Sequence, residues 1–311
     1  MTQSSTGDLA IDVSGLTKSY GDVAVVKGID LAVGHGEIVA FLGPNGAGKT
    51  TTIEILEGFR ERDGGTVTVL GQDPATAALS WRERVGIVLQ ESEPTPELTA
   101  AESISLQSGY YRDPRDPGEV LELVGLADSA DTRTRKLSGG QKRRLDLGMA
   151  LVGNPDLVFL DEPTTGFDPS ARRESWGMIE ALADLGKTVL LTTHYMDEAE
   201  QLSDRIVVIG DGVIIASGTS GELSDQVSTG ARITWRPRSD DPALPPELAA
   251  SVSSDGHLAT LEGGDVLARL NALTGWALEQ RIDLADLEVR RPTLEDAFLA
   301  LTNQSSDGAS S

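Results

Sequence analysis

The sequence predicts an α/β fold, a mostly parallel sheet covered by helices, with a helical insertion and a small α+β domain appended at the C-terminal end. Three observations predict it. A glycine-rich loop, Gly43-Pro44-Asn45-Gly46-Ala47-Gly48-Lys49-Thr50, matches G-x-x-x-x-G-K-[ST] and stands between a strand-like and a helix-like stretch. Short apolar runs alternate with helical patterns along most of the chain. Past about residue 222 the composition changes, and a second set of short elements begins.

The loop is the first element to justify. Residues 37–42 form a short apolar run ending at Leu42, read as a buried strand, and 51–59 carry Ile53, Ile55 and Leu56, consistent with a helix buried on one face. Gly43, Gly46 and Gly48 let the backbone turn tightly and aim successive N–H groups inward, making an anion-binding concavity. The helix that follows points its positive end at the same spot. Lys49 supplies a movable charge for the β- and γ-phosphates, and the Thr50 hydroxyl is a hard oxygen ligand for Mg²⁺. These residues predict a nucleotide-binding protein.

Composition narrows the partners. The 311 residues can hold one large and one smaller domain, and 39% hydrophobic with 24% charged residues is ordinary for a globular protein. The longest apolar runs are strand-sized, far short of a membrane span. Residues 1–10 show neither the basic nor the apolar region of a signal peptide, so none is expected. A formal charge of −23 argues against nucleic acid as the main partner and against loose adsorption to anionic lipid. With no cysteine there is no disulfide or thiolate site, and three scattered histidines leave little for zinc.

Taken in order, residues 1–7 read as loose. Strands are expected at 9–13 and 29–33 around the turn Tyr20-Gly21-Asp22, at 66–70 after Gly64-Gly65, and at 85–89, ending at Gln90. From 91 to about 131, prolines at 94, 96, 114 and 117 separate helical patterns at 98–111 and 118–126. Strand texture returns at 157–160, 188–192, 205–210 and 213–216, with a clear helix at 170–185. Strands at 231–235, 257–261 and 284–289 and helices at 264–273 and 293–301 make up the appendage. Thr293 and Asp296 form a possible capping pair there. The division expected is 8–222 for the nucleotide-binding domain, with its helical part at about 91–153, then 223–302 for the accessory domain and a disordered tail at 303–311.

Two further stretches carry chemistry. Leu157-Val158-Phe159-Leu160 runs into Asp161-Glu162, a buried strand delivering one carboxylate to a magnesium shell and the next to a water attacking the γ-phosphate. Leu137-Ser138-Gly139-Gly140-Gln141 opens the helical pattern at 142–152, and serine with two glycines at a helix start is a second anion site. One chain needs one γ-phosphate cradle, so a second hints that two chains share each nucleotide.

With these motifs in place, residues 9–220 resemble the ATP-binding subunits of ABC transporters. The resemblance implies a P-loop NTPase of ABC-ATPase type, a RecA-like mixed sheet core plus a helical subdomain. It implies that Tyr20 stacks on adenine, that residues Gly43, Pro44, Asn45, Gly46, Ala47, Gly48, Lys49, Thr50 and Thr51 cradle ATP, and that Gln90 is the lid glutamine touching Mg²⁺ and the catalytic water. Ser138, Gly139, Gly140 and Gln141 match the signature motif, and Thr50, Gln90 and Asp161 the magnesium site. Glu162 matches the catalytic glutamate, Asp168 the inter-subunit aspartate loop and His194 the switch histidine. Phe167 departs from the leucine more usual in that loop, a change of packing rather than chemistry. The stretch from Arg291 to Leu301 is similar to the extension of bacterial daunorubicin/doxorubicin-type exporter ATPases.

The function this implies is ATP hydrolysis driving a separate polytopic permease that exports a drug, antibiotic or similar hydrophobic compound. The chain would sit peripherally on the cytoplasmic face of the membrane and pair with itself or with a paralogous ATPase subunit. The alternatives are a soluble ABC ATPase outside transport and a drug-sequestering protein. Only about 47 residues separate Gln90 from Leu137, too few for the coiled coil of the repair-type enzymes, and one ATPase half is present where translation-type members carry two.

Overall fold

The structure is a computed structural model that describes residues 9–89, 94–167, 169–227, 232–238, 241–249, 252–254, 259–261, 266–290 and 293–308. It divides into two compact units, Met1–Thr219 and Ser220–Ser311.

The first unit contains two sheets. Strands β1 (Leu9–Tyr20) and β2 (Val23–Gly34) form a long antiparallel hairpin, and β4 (Gly64–Val69) pairs with the other edge of β1. The hairpin is longer than the two short strands expected, because residues 16–20 and 23–29 pair with each other across the turn and carry it past those strands. The second sheet has six strands in the order β5-β6-β7-β3-β8-β9: β3 (Ile38–Leu42), β5 (Val85–Val88), β6 (Leu157–Asp161), β7 (Thr188–Thr193), β8 (Arg205–Gly210) and β9 (Val213–Gly218). All its pairings are parallel except β8 with β9. Its central strands β3, β6 and β7 are buried along almost their whole length and carry apolar residues through their middles, as strands covered on both faces do.

Helix α1 (Lys49–Leu56) leaves the glycine loop and buries Ile53, Ile55 and Leu56 in a cluster that also holds Val39 and Phe41 of β3 and Ile11, Val13 and Leu31 of the hairpin. It is therefore anchored to both sheets. The short α2 (Leu79–Arg82) buries Trp81, whose indole N–H donates to the Val69 carbonyl at 2.8 Å. The helical insertion contains α3 (Ala100–Ser108), α4 (Pro117–Leu123) and α5 (Gly139–Leu151), packed through Ile104, Val120 and Leu145. Thr99 and Glu102 cap α3 reciprocally, and Asp116 caps α4 with Pro117 at its first position. Helices α6 (Pro169–Asp184) and α7 (Met196–Leu202) flank β7.

The second unit is the expected α+β domain in composition. Strands β10 (Arg232–Arg236), β11 (Val252–Ser254), β12 (Ala259–Leu261) and β13 (Ala285–Arg290) form an antiparallel sheet in the order β11-β12-β10-β13. Helices α8 (Ser220–Val227), α9 (Pro246–Ala249), α10 (Val266–Gln280) and α11 (Leu294–Gly308) accompany it, around a core of Ile233, Trp235, Leu248, Ala259, Leu261 and Leu273.

Two boundaries differ from the sequence reading. A division at 222 would cut α8, whose Leu223 is fully buried, and the chain instead divides before Ser220. The tail expected to be disordered from 303 is helical through Gly308, because α11 starts from the Thr293–Asp296 cap and has no breaker before that glycine.

Candidate ATP-hydrolysis site

The glycine loop is shaped by close approach. A Cβ at Gly43 would meet the Ile209 carbonyl oxygen at 2.4 Å, and Gly48, at φ 99°, lies against the Val25 carbonyl. With no side chain at either position the loop nests between β8 and β2. Gly48 is also the N-cap of α1, so the helix dipole begins at the loop itself.

Lys49 is 6% exposed, and its ammonium donates to the carbonyls of Gly43 at 2.7 Å and Pro44 at 3.2 Å. Desolvation lowers its pKa, while the charges of Glu162 and Asp161 act in the opposite direction. Those two carboxylates therefore face the loop's cation. Thr50 is exposed at the first turn of α1, and Thr51 stands within 3.4 Å of the Tyr20 hydroxyl. Tyr20 is 42% exposed at the end of β1, beside the Arg60 guanidinium 5.2 Å from its ring centroid.

The acids reach the loop by sheet order. Strand β7 lies between β3 and β6, so the strand ending in Asp161 is not adjacent to the loop strand. The intervening β7 ends in Thr192, Thr193 and then His194. In the parallel register Asp161 pairs with Thr192, whose hydroxyl donates to Asp161 Oδ1. Thr192 also receives the Glu162 N–H on both its carbonyl, at 3.2 Å, and its Oγ1, at 3.0 Å. Glu162 has φ +46°, a left-handed conformation costing a residue with a Cβ about 1–2 kcal/mol. Its carboxylate accepts from the Thr165 hydroxyl at 3.0 Å and lies 3.4 Å from His194 Nδ1. The Glu162 side chain is 15% exposed and that of His194 42%, so the pair stands at the mouth of the site.

The signature stretch makes a capping box on α5: Ser138 Oγ accepts from the Gln141 N–H at 3.2 Å, and the Ser138 N–H donates to Gln141 Oε1 at 3.0 Å. Gln141 further donates to Ser129 Oγ, which fixes the start of the helix. Ser138 and Gly139 are exposed. The structure thus brings Lys49, Asp161, Glu162 and His194 together within one chain, with Tyr20 and Thr51 adjoining each other near the start of α1. The expected sites at Gln90 and Asp168 lie outside the described residues.

Several contributors were not legible beforehand. Thr192 is an ordinary strand threonine in sequence, and only the register against Asp161 reveals its role. Arg143 binds four carbonyls around the acids, but no spacing separates it from Lys142 and Arg144. Glu57, at the end of α1, is 6% exposed, and burial, then the charges of Asp161 and Glu54, push its pKa up to about 8. Among the described residues no cluster of three or more His, Cys, Asp or Glu could by itself hold a metal ion.

Comparison with known proteins agrees with this geometry. The sequence profile of the family described as ABC transporter matches residues 26–165. The chain is 39% identical over 305 residues to the daunorubicin resistance ATP-binding protein DrrA3 of Streptomyces coeruleorubidus, covering 95% of this chain and 96% of that one. It is 38% identical over 306 residues to the Nod factor export ATP-binding protein I of Burkholderia orbicola (strain AU 1054), covering 94% and 97%. Among solved structures it is similar to the ATP-binding cassette MJ0796, a dimer in a post-hydrolysis state bound to ADP and Pi, with 26% identity and a TM-score of 0.60 over 67% of this chain and 98% of that one. An ATP-binding subunit of an ABC transporter, 27% identical, superposes with a TM-score of 0.63 over 70% of this chain and 92% of that one. With the loop, the paired acids and the histidine assembled in one site, and relatives matching over nearly the whole length, the chain belongs to the ABC transporter family and is one of its ATP-hydrolysing subunits.

Proposed function

We propose that the chain powers an exporter by closing, as a head-to-tail pair, around two Mg-ATP. The observation that carries the reading is the meeting of Lys49, Asp161 and Glu162 at the phosphate loop, with His194 beside Glu162. The loop amides and Lys49 bind the phosphates. To do so Lys49 exchanges the carbonyls of Gly43 and Pro44 for anionic oxygens, a stronger, charge-assisted partner. Tyr20 stacks on the adenine. Thr50, Asp161 and Gln90 are the oxygen donors for Mg²⁺, which when bound neutralises charge on the β- and γ-phosphates. Glu162 orients the attacking water and takes its proton, and His194 steadies the γ-phosphate. Thr192 keeps Asp161 and the Glu162 backbone in place while charge develops, so catalysis is mainly positioning and electrostatics.

Ser138, Gly139 and Gly140 of one copy, with Asp168, close the site of the other, a reading supported by the exposure of Ser138 and Gly139 at the start of α5. Losing the γ-phosphate removes the contact that joins the copies, and the pair opens. The resistance and export names of the full-length relatives support export of a drug, antibiotic or similar hydrophobic compound. No helix among the described residues is long and apolar enough to cross a membrane, so the reading requires a separate polytopic permease. The chain then works peripherally on the cytoplasmic face, with the segment after Gln90 as the contact.

The test is Glu162→Gln. Hydrolysis should fall roughly 10²–10⁴-fold, and the variant should run as a dimer with ATP and as a monomer without it. Captured from detergent-solubilised membranes with ATP, it should bring down a polytopic subunit. Hydrolysis at the parental rate would refute the role of Glu162, and capture of soluble proteins alone would refute the export reading.

A further inference from the structure

Arg143 lies on α5, beyond the signature stretch, and its guanidinium reaches from that helix to four main-chain carbonyls. Nε donates to Pro163 at 3.1 Å, one terminal nitrogen to Asp161 at 2.9 Å and Glu162 at 3.4 Å, and the other to Leu89. Leu89 follows β5 and directly precedes Gln90. The other three carbonyls form the turn that leaves β6.

Glu162 sits in the middle of that turn with φ +46°. A residue with a Cβ persists in the left-handed region only where its surroundings over-determine it. One side of the turn is held by Thr192, through the Glu162 N–H. The other is held by Arg143, through the carbonyl of Glu162 and those of both neighbours. The planar fork suits this task, because its donors diverge in fixed directions toward several acceptors at once. The same helix carries Ser138 at its N-cap, so its position is felt at both ends: the exposed signature residues and the turn that aims Glu162.

We infer that Arg143 is a positioning residue for hydrolysis, locking the left-handed turn that aims the Glu162 carboxylate and tying that turn to the signature helix. The inference rests on Glu162 being the residue that acts on the attacking water.

The experiment compares the full chain with Arg143→Met and Arg143→Lys, each alone and combined with Glu162→Gln. Single-turnover hydrolysis, steady-state kcat and KM, equilibrium ATP affinity and thermal melting are measured for each. Arg143→Met should lower kcat roughly 10²-fold, the loss typical of a displaced catalytic group, with KM and ATP affinity within about threefold of the parent. Arg143→Lys keeps the charge without the fork and should remain roughly tenfold down. In the Glu162→Gln background, Arg143→Met should add less than about twofold, since both changes act through one carboxylate. A kcat for Arg143→Met within about threefold of the parent would overturn the inference, as would an equal loss in both backgrounds. If Arg143→Met does not fold, Arg143→Lys decides: a selective loss of kcat supports the inference and a parental kcat overturns it. Parental hydrolysis by Glu162→Gln refutes the reading of Glu162 instead, a separate outcome read from a separate variant.

Discussion

Glu57 offers the sharpest quantitative test of the electrostatics under the phosphate loop. It ends α1, is 6% exposed, and burial holds its pKa at about 8 against an ordinary 4.5, with the charges of Asp161 and Glu54 adding to the effect. Below pH 4.5 the group is protonated in both folded and unfolded chains and costs nothing. Between 4.5 and about 8 the unfolded chain releases its proton while the folded chain keeps it, so folding loses stability as pH rises. Above 8 the loss is complete. At about 1.4 kcal/mol per pKa unit the whole shift corresponds to about 5 kcal/mol. Water entry and relaxation around an ionised buried carboxylate bring the expected measured difference to about 2–3 kcal/mol. The perturbation is Glu57→Gln, which keeps the size and removes the ionisation. Urea unfolding at pH 5.5, 7.0 and 8.5, with amide exchange of α1 assigning the transition to the first unit, should find variant and parent within about 1 kcal/mol at pH 5.5. At pH 8.5 the variant should be the more stable by about 2–3 kcal/mol. Parallel profiles across the three pH values would refute the reasoning, because every other titrating group is common to both chains.

Three other expectations follow from the same geometry. Gly43→Ala forces a Cβ to 2.4 Å from the Ile209 carbonyl; calorimetry with ATP should register at least a tenfold weaker affinity, and unfolding a loss of about 1–3 kcal/mol. Thr192→Val removes the hydroxyl that donates to Asp161 and accepts from the Glu162 N–H, which keeps the Thr192 carbonyl; a stability loss of about 1–3 kcal/mol for the carboxylate that loses its donor and a kcat at least tenfold lower are expected, read by denaturation and phosphate release. Tyr20→Ala should weaken ATP binding by roughly 1–3 kcal/mol, the worth of a base stacked on an aromatic ring, while Tyr20→Phe stays within about twofold, as fluorescence titration would reveal.

What was readable in the chain was whatever depends on neighbours in sequence. The phosphate loop is eight consecutive residues whose N–H groups, glycines and lysine act on one another through the local backbone, so its chemistry could be written before any fold was known. The Thr293–Asp296 cap was legible for the same reason, whereas the stretch at Ser138 was read as an anion site and its capping box with Gln141 came from the structure. Strand existence followed from apolar runs, but strand length did not: β1 and β2 extend well past their apolar ends because pairing with each other, not hydrophobicity, sustains the hairpin. The end of α11 was misplaced because a polar run such as Asn303-Gln304-Ser305-Ser306 carries no packing signal.

The amino-acid order alone pointed to a bound nucleotide, to the loop that takes it and to the two acids that follow the apolar run at 157–160, while His194 came only from the family resemblance. Tertiary structure decided how those groups act together. Only the sheet order inserts β7 between the loop strand and the acid strand, and only its register sets Thr192 against Asp161, 31 positions apart in sequence. Glu162 takes a left-handed backbone that glutamate does not favour by itself, and the contacts from Thr192 and Arg143 that hold it come from two other elements. The raised pKa of Glu57 is likewise invisible in sequence, since it is set by desolvation inside the folded core. Local chemistry is written in adjacent residues, whereas burial, register and strain exist only once distant segments are packed together.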